Sequence, residues 1–132
     1  MTVLEGQLPT PTVAAEAGTE LDVCAFDDLV PDRGVCALVD GAPVALFRCA
    51  PDDELHAVGN VDPYSAASVL SRGIVGSVGD RTVIASPIYK NRFDLRTGES
   101  LDDPSVRLPV HPVRVHGGRV LVGTAPVTVT SV

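Results

Sequence analysis

Two stretches of this chain, Gly59-Asn60-Val61-Asp62-Pro63 and Ser86-Pro87-Ile88-Tyr89-Lys90-Asn91-Arg92-Phe93-Asp94-Leu95-Arg96-Thr97-Gly98, decide how its fold is interpreted. The apolar run Leu55–Val58 leads into the first stretch, and Thr82–Ala85 leads into the second. Each contains a proline next to a short polar side chain, Asp62-Pro63 in the first and Ser86-Pro87 in the second, a composition typical of turns and loops. We therefore expect two polar loops that are carried on the ends of β-strands.

Short valine-rich runs recur along the rest of the chain, and the branched Cβ of valine favours strands. Asp40-Gly41 between two of these runs predicts a hairpin, because both residues tolerate a positive φ. Near the C-terminus, Val113 and Val115 alternate with polar residues, as in a half-buried strand. The predicted strands are Leu21–Phe26, Val35–Val39, Pro43–Cys49, Leu55–Val58, Val75–Val78, Thr82–Ala85, Phe93–Leu95, Val110–His116 and Arg119–Val122. About nine short strands predict an all-β sandwich or barrel with no substantial helix; Ser65–Ser71 is long enough for one helical turn only.

The chain has 132 residues, which is enough for one domain with a single core. Residues 1–19 contain prolines without helical or alternating period, and we expect a flexible N-terminal arm. Residues 20–124 form the predicted domain. Residues 125–132 form a C-terminal tail that either adds to a sheet edge or stays disordered.

The formal net charge is −7 and the isoelectric point is about 4.7. Such a field repels phosphates and anionic membranes, so nucleic acid and membrane surfaces are not expected partners. The N-terminus lacks a secretion signal and no apolar run is long enough to span a bilayer, which predicts a cytoplasmic protein. Cys24, Cys36 and Cys49 lie in strand-like runs, and we expect three reduced, buried thiols.

The two loops resemble the cluster-binding loops of a Rieske iron–sulfur domain. In such a domain Cys-x-His in one loop and Cys-x-x-His in the other hold a 2Fe-2S cluster. The corresponding residues here are Asn60, Asp62, Ser86 and Tyr89, and none of them can replace a soft thiolate. The resemblance thus implies a Rieske-like scaffold with degenerate ligand positions, and no metal or cofactor is expected on this chain.

Further motifs resemble a family within the Rieske-like proteins, the small subunit of assimilatory NAD(P)H-dependent nitrite reductase. They are Gly59–Pro63, Val69-Leu70-Ser71-Arg72-Gly73-Ile74-Val75-Gly76, Ala85-Ser86-Pro87, Lys90, Phe93, Leu95, Thr97-Gly98 and Leu101–Pro104. The resemblance, which covers about Leu21 to Val122, implies a large-subunit partner that carries FAD, a 4Fe-4S cluster and sirohaem and reduces nitrite to ammonium. It implies no catalytic residue on this chain.

Two hypotheses concern the loops. In the first, the four polar residues form hydrogen bonds between the loops, and the ring of Tyr89 packs where a ligand stood in Rieske domains, with its hydroxyl directed to the first loop; ordinary solvent-exposed loop residues are the alternative. In the second, Arg72, Lys90 and Arg92 dock onto an acidic partner surface, or else steer an anion such as nitrite.

The remaining patterns are weaker. The three histidines, His56, His111 and His116, lack the spacing of metal ligands, and we expect ordinary surface or strand residues. Gly73-x-x-Gly76-x-x-Gly79 lacks the lysine of a phosphate loop, so turns explain these glycines better. Two functional alternatives stay open: a Rieske-type, ferredoxin-like electron carrier, and a binding module recruited to another partner.

Overall fold

The computed structural model describes residues 19–128, which contain nine strands and confirm the predicted all-β class. The strands are β1 (Glu20–Ala25), β2 (Gly34–Val39), β3 (Ala42–Cys49), β4 (Glu54–Gly59), β5 (Ile74–Val78), β6 (Arg81–Ala85), β7 (Arg92–Asp94), β8 (Val113–His116) and β9 (Arg119–Gly123). Within this part of the chain, helical structure is limited to two 3-10 turns, Phe26–Asp28 and Leu70–Arg72. Neither turn is long or apolar enough to cross a membrane.

The strands form three antiparallel sheets of three strands each, in the orders β1-β9-β8, β2-β3-β4 and β5-β6-β7. Asp40 and Gly41 have φ values of 53° and 84°, and they form the predicted hairpin between β2 and β3. Gly79 and the pair Gly117-Gly118, all with positive φ, turn the β5-β6 and β8-β9 hairpins. Because these turns are short, strands that follow each other in the sequence pair directly as antiparallel hairpins.

Two clusters of buried apolar side chains stabilise the sheets. One packs residues of β3 and β4 against β6 and β7, with Phe47, Ile84 and Phe93 fully buried. The other packs the opposite faces of β3 and β4 against β9, through Leu46, Ala57 and Val120 among others. Because residues alternate between faces along a strand, β3 and β4 contribute to both clusters and form the centre of the molecule.

The ends of β4 and β6 hold the two polar loops in place. The backbone N–H of Gly59 donates to the carbonyl of Pro109 at 2.8 Å, and that of Asn60 donates to Pro43 at 3.0 Å. In the second loop, the backbone N–H of Ser86 donates to Asn91 at 2.9 Å. Both loops therefore leave the sheets from fixed points, and their side chains are presented by a rigid scaffold.

Three local predictions need correction. The helical turn covers Leu70–Arg72 rather than the whole of Ser65–Ser71. The last hairpin begins at Val113, not Val110, because Pro112 lacks the N–H that a longer ladder would use. Of the predicted valine face of β8, Val113 is partly buried against the second apolar cluster, but Val115 is 43% exposed.

The cysteines also differ from prediction in one case. Cys49 is buried, and desolvation, followed by the nearby Asp32 and Glu54 carboxylates, raises the pKa of its thiol to about 11. Cys24 is partly buried, and burial likewise raises its pKa. Cys36 is exposed on β2, an edge strand, and the prediction of a buried thiol there is wrong.

The predicted N-terminal arm and C-terminal tail extend beyond the residues that the structure describes. Residues 1–18 of the predicted arm and 129–132 of the predicted tail lie outside the described residues. Val127 forms an isolated antiparallel bridge with Val110, and its N–H donates to the Val110 carbonyl at 2.7 Å. The beginning of the tail thus adds to the β framework.

Candidate functional site at the two polar loops

Asp62 is the centre of the first loop, and its carboxylate is fully buried. Its Oδ1 accepts a hydrogen bond from the backbone N–H of Tyr64 at 2.9 Å. Its Oδ2 accepts from the hydroxyl of Ser65 at 3.1 Å and from the hydroxyl of Ser86 at 2.6 Å. Three donors therefore replace the water that burial removes, which a buried carboxylate requires.

Ser86 connects the loops. Its hydroxyl donates to Asp62 across the gap between them and also accepts from the backbone N–H of Ile88 at 3.2 Å. Its carbonyl accepts from the backbone N–H of Lys90 at 3.1 Å. One buried serine thus closes the second loop on itself and joins it to the first, and the predicted hydrogen bond between loops is present at this pair.

Asn60 organises the segment that follows the first loop. Its side-chain Nδ2 donates to the hydroxyl of Ser68 at 2.8 Å, and its Oδ1 accepts from the backbone N–H of Ser71 at 2.7 Å. Its backbone carbonyl accepts from the N–H groups of Val69 and Leu70, each at 3.0 Å. The buried amide therefore fixes the 3-10 turn at Leu70–Arg72 beside the loop rather than bonding across to the second loop.

The hypothesis about Tyr89 is wrong. Its side chain is 66% exposed and, within residues 19–128, forms no hydrogen bond to the first loop. Tyr64, although 37% exposed, is the tyrosine that contacts buried residues: its ring centroid lies 5.9 Å from that of Phe93, and its hydroxyl lies 2.8 Å from the hydroxyl of Ser100. Sequence reasoning missed Tyr64 because its partner is 36 residues away and no spacing pattern indicates it.

The structure brings the three predicted docking cations to one end of the β5-β6-β7 sheet. Arg92 is the register partner of Ala85, and Ala85 is the partner of Ile74 on the other side. Arg72 lies two residues before Ile74, and Lys90 lies two residues before Arg92. Since adjacent strands are about 4.8 Å apart, the backbone row Ile74, Ala85 and Arg92 spans about 10 Å across the sheet.

Half of the ten cations have an acidic partner on this chain and half have none among the described residues. Ion pairs join Arg48, Arg81, Arg107, Arg114 and Arg119 to carboxylates within 4.0 Å. Arg72, Lys90 and Arg92 are exposed, and no ion pair is found for them between residues 19 and 128. Asp102 lies close by, because its carboxylate accepts a hydrogen bond from Asn91 at 2.7 Å, but it forms no ion pair with Lys90 or Arg92 among the described residues. Exposed cations without an ion pair next to two rigid loops are available to an acidic partner.

A surface hollow of about 340 Å³ lies next to these cations, where an anion could be steered. Arg33, Arg72 and Ile74 line it, together with Asp32. The Asp32 carboxylate would repel an anion held between the two arginines. The hollow therefore does not favour the anion-steering alternative.

Ion pairs that the sequence analysis did not identify join β6 to the end of the second loop and the segment after it. Arg81 Nε donates to Asp94 Oδ2 at 2.7 Å, and Glu99 accepts from Arg81 at 3.3 Å and from Arg107 at 2.9 Å. Burial raises the pKa of Asp94, but hydrogen bonds from Arg81 and from the backbone N–H groups of Arg96 and Thr97 outweigh it, so that its pKa is lowered. The spacing of Arg81, Asp94 and Glu99 gives no local pattern from which the cluster could have been predicted.

Comparison with known proteins places this geometry in a family. Residues 21–123 match the model of the Rieske-like [2Fe-2S] domain. The nitrite reductase (NADH) small subunit of Escherichia coli K12 is 38% identical over 99 residues, which are 75% of this chain and 92% of that protein. A crystal structure attributed to the NADH-dependent nitrite reductase small subunit of Mycobacterium tuberculosis is 52% identical, with a TM-score of 0.77 over 84% of this chain and 97% of that one.

A third relative is a longer protein. The nitrite reductase [NAD(P)H] large subunit of Klebsiella oxytoca is 37% identical over 101 residues. The match covers 76% of this chain but only 10% of that protein. A domain of this kind is therefore covalently part of one large subunit.

A 2Fe-2S cluster in a Rieske-like domain would be held by side chains of the two loops, and in this chain those side chains are engaged otherwise. Asp62 and Ser86 are bonded to each other in the buried position between the loops, the amide of Asn60 is used by neighbouring groups, and Tyr89 is exposed. The three cysteines lie on β1, β2 and β3 rather than in either loop. Oxygen donors are poor ligands for sulfide-bridged iron, so these residues do not fit the cluster.

Histidine gives no substitute site. His56 Nε2 lies 3.1 Å from a Glu54 carboxylate oxygen, and His111 Nδ1 lies 2.8 Å from the Gly123 carbonyl. Among residues 19–128, no group of three or more His, Cys, Asp or Glu side chains is arranged to hold a metal ion. The fold, the two loops and the sequence identities agree, and the chain belongs to the Rieske-like domain family and, within it, to the nitrite reductase small subunits.

Proposed function

We propose that this chain is a non-redox small subunit that supports NAD(P)H-dependent reduction of nitrite to ammonium by a nitrite reductase large subunit in cytoplasmic nitrate assimilation. The 2.6 Å hydrogen bond between Ser86 and Asp62 carries the non-redox part of the proposal. This bond fills the buried gap between the loops with a carboxylate and a hydroxyl, where an electron carrier needs cluster ligands. FAD, a 4Fe-4S cluster and sirohaem are then expected on the large subunit, and the chemistry takes place there.

The proposed docking residues are Arg72, Lys90 and Arg92. They are exposed, they lie at one end of the β5-β6-β7 sheet, and no acidic side chain among the described residues pairs with them. Arginine is enriched at interfaces because its planar group forms paired hydrogen bonds with carboxylates. An acidic patch on the large subunit is the expected counterpart.

The central experiment measures nitrite-dependent oxidation of NADH and of NADPH by the purified large subunit, with and without this chain. We expect activity, or the stability of the active complex, to increase when the chain is added. Arg72→Glu with Lys90→Glu should abolish the increase, whereas Arg96→Glu should not. Arg96 is a matched control because it too is exposed and has no ion pair among the described residues. It lies away from the proposed docking residues: the N–H of the preceding residue, Leu95, donates a hydrogen bond to Thr82, which is three residues before Ala85 on β6.

The electron-carrier alternative is tested on the chain alone. A purified protein with stoichiometric iron and acid-labile sulfide, and with a visible absorption band, would contradict the non-redox proposal. The binding-module alternative predicts that affinity capture from the native cell recovers a different protein and not the large subunit. A colourless chain that co-purifies with the large subunit would support the proposal against both.

A further inference from the structure

Large apolar side chains are exposed at the ends of both polar loops. Ile88 is 45% exposed and Tyr89 is 66% exposed in the second loop, and Val61 is 42% exposed in the first. Single exposed apolar residues are common on protein surfaces. The backbone positions of these three are close, because Val61 is next to Asp62, Ile88 is two residues after Ser86, and the Ser86 hydroxyl donates to the Asp62 carboxylate. We call Val61, Ile88 and Tyr89 the loop tip.

The loop tip is pre-organised. The backbone N–H of Ile88 donates to the Ser86 hydroxyl at 3.2 Å, and that of Lys90 donates to the Ser86 carbonyl at 3.1 Å. Lys90 has a φ of 66°, a conformation that a residue with a Cβ rarely adopts unless its surroundings hold it there. A loop that is already ordered loses little conformational entropy on binding, so its apolar side chains can contribute fully to an interface.

Charge completes the pattern of an interface. Lys90 directly follows Tyr89, and Arg92 lies two residues further on, both without an acidic partner among the described residues. An exposed aromatic centre with a cationic rim is the arrangement found at binding hot spots, in which a few buried aromatic and arginine side chains provide most of the affinity. The complementary surface is an apolar recess with acidic residues at its edge.

The Klebsiella relative indicates which protein carries that surface. A domain 37% identical to this chain is part of a protein named a nitrite reductase large subunit, so the two are joined there at high effective concentration. A separate chain must obtain the same association from its own surface. We infer that the loop tip inserts into an apolar, acid-rimmed recess of the nitrite reductase large subunit; this inference rests on the proposed function and adds the apolar core of the contact.

The test uses a double variant that carries both Ile88→Ser and Tyr89→Ser, and its control is Val115→Ser. Val115 is 43% exposed, close to the 45% of Ile88, and lies on β8 in a different sheet next to the Gly117-Gly118 turn. The dissociation constant of the complex with the large subunit is measured by titration calorimetry, with the thermal unfolding midpoint of each variant as a check on folding. We expect the double variant to bind at least about tenfold more weakly and Val115→Ser to bind like the natural chain.

A second measurement does not depend on loss of binding. A photoreactive benzoylphenylalanine at position 89 should cross-link to the large subunit, and the same residue at position 115 should not. Unchanged affinity of the folded double variant, or equal cross-linking from both positions, would overturn the inference and leave the proposed function intact. Cross-linking from position 89 to a second copy of this chain instead would also overturn it. If the natural chain does not bind the large subunit at all, the proposed function itself fails.

Discussion

At the scale of single residues, Asp62 replaces the stabilising role that a metal centre plays in related scaffolds. A metal holds its ligands together and contributes folding free energy. Here the Asp62 carboxylate accepts hydrogen bonds from the Tyr64 N–H and from the Ser65 and Ser86 hydroxyls, and all three of these donors are uncharged. Hydrogen bonds to charged groups are individually stronger than neutral ones, so this arrangement can hold two loops without metal.

A double-mutant cycle tests this role. Asp62→Ala and Ser86→Ala remove the two ends of the 2.6 Å bond. We expect a coupling free energy on the order of 1.5–3 kcal/mol, because the bond is buried and one partner is charged. The free energy of unfolding is measured by urea denaturation of the natural chain, both single variants and the double variant.

The matched control uses Tyr89→Phe in place of Ser86→Ala. Tyr89 is exposed and does not contact Asp62, so its coupling with Asp62→Ala should be close to zero. Equal coupling in the two cycles would show that the effect does not come from the bond between the loops.

The same residues show what sequence could and could not predict. Asn60, Asp62 and Ser86 were identified because they occupy positions with a known pattern in Rieske loops, and all three are buried and hydrogen-bonded. Tyr89 occupies a matching position but is 66% exposed, whereas Tyr64, at 37%, packs its ring against Phe93. The direction of a loop side chain depends on contacts with distant residues such as Ser100, which spacing in the sequence does not encode.

At the scale of elements, the strands were predicted well because period and turn residues are local. The hairpins follow from Asp40-Gly41 and Gly117-Gly118, whose positive φ values are intrinsic to these residue types. The sequence analysis explained Gly73 by a turn, but the requirement for glycine at this position comes from a distant segment. A Cβ at Gly73 would lie 2.2 Å from the carbonyl oxygen of Ala85, so this glycine permits close approach of two segments rather than a turn.

Gly73→Ala should therefore destabilise the protein, and Gly76→Ala should not. Both glycines lie at or in β5, but a Cβ at Gly76 would meet nothing within 4 Å. We expect Gly73→Ala to lower the free energy of unfolding by about 1–3 kcal/mol through overpacking. Gly76→Ala should stay within about 0.5 kcal/mol or be slightly stabilising. Chemical denaturation measures both, and a similar loss in the two variants would contradict the close contact at Gly73.

The turn after β7 should make the protein sensitive to acid. Hydrogen bonds from Arg81, Arg96 and Thr97 lower the pKa of Asp94 despite its burial. A carboxyl whose folded pKa is lowered stabilises the fold above its unfolded pKa of about 3.9, and this contribution is lost as the pH falls through the folded pKa. Asp94→Asn should be less stable than the natural chain at pH 7, by about 1–3 kcal/mol.

Below pH 4 the gap between Asp94→Asn and the natural chain should narrow. The difference in the free energy of unfolding between the two proteins is measured by urea denaturation at pH 7, 5, 4 and 3. Glu20, whose pKa is lowered by its hydrogen bond from Arg114, allows a comparison with Asp94 at a more exposed site. A constant difference at all pH values would show that Asp94 acts through packing and not through its charge.

At the scale of the whole molecule, the distribution of charge matters more than its sum. The net charge of −7 opposes association with an acidic partner. The patch formed by Arg72, Lys90 and Arg92 reverses this locally, because none of these side chains has an acidic partner among the described residues. A sequence alone shows that these cations are close along the chain, but only the pairing of β6 with β7 places Arg92 on the same end of the sheet as Arg72.

The fall of the association rate with rising ionic strength should therefore come mainly from this patch. For the natural chain, we expect the association rate constant to fall as salt rises from about 50 to 500 mM, since the Debye length shortens and steering is lost. The triple variant Arg72→Ala, Lys90→Ala, Arg92→Ala should associate slowly at low salt. Its rate should depend less on salt, or should rise with salt as the repulsion between this acidic chain and the proposed acidic patch of the large subunit is screened. Arg96→Ala should behave like the natural chain. Stopped-flow or surface-based kinetics at four salt concentrations measures the slopes, and parallel slopes for all three proteins would mean that the field of the whole molecule, and not this patch, governs the encounter.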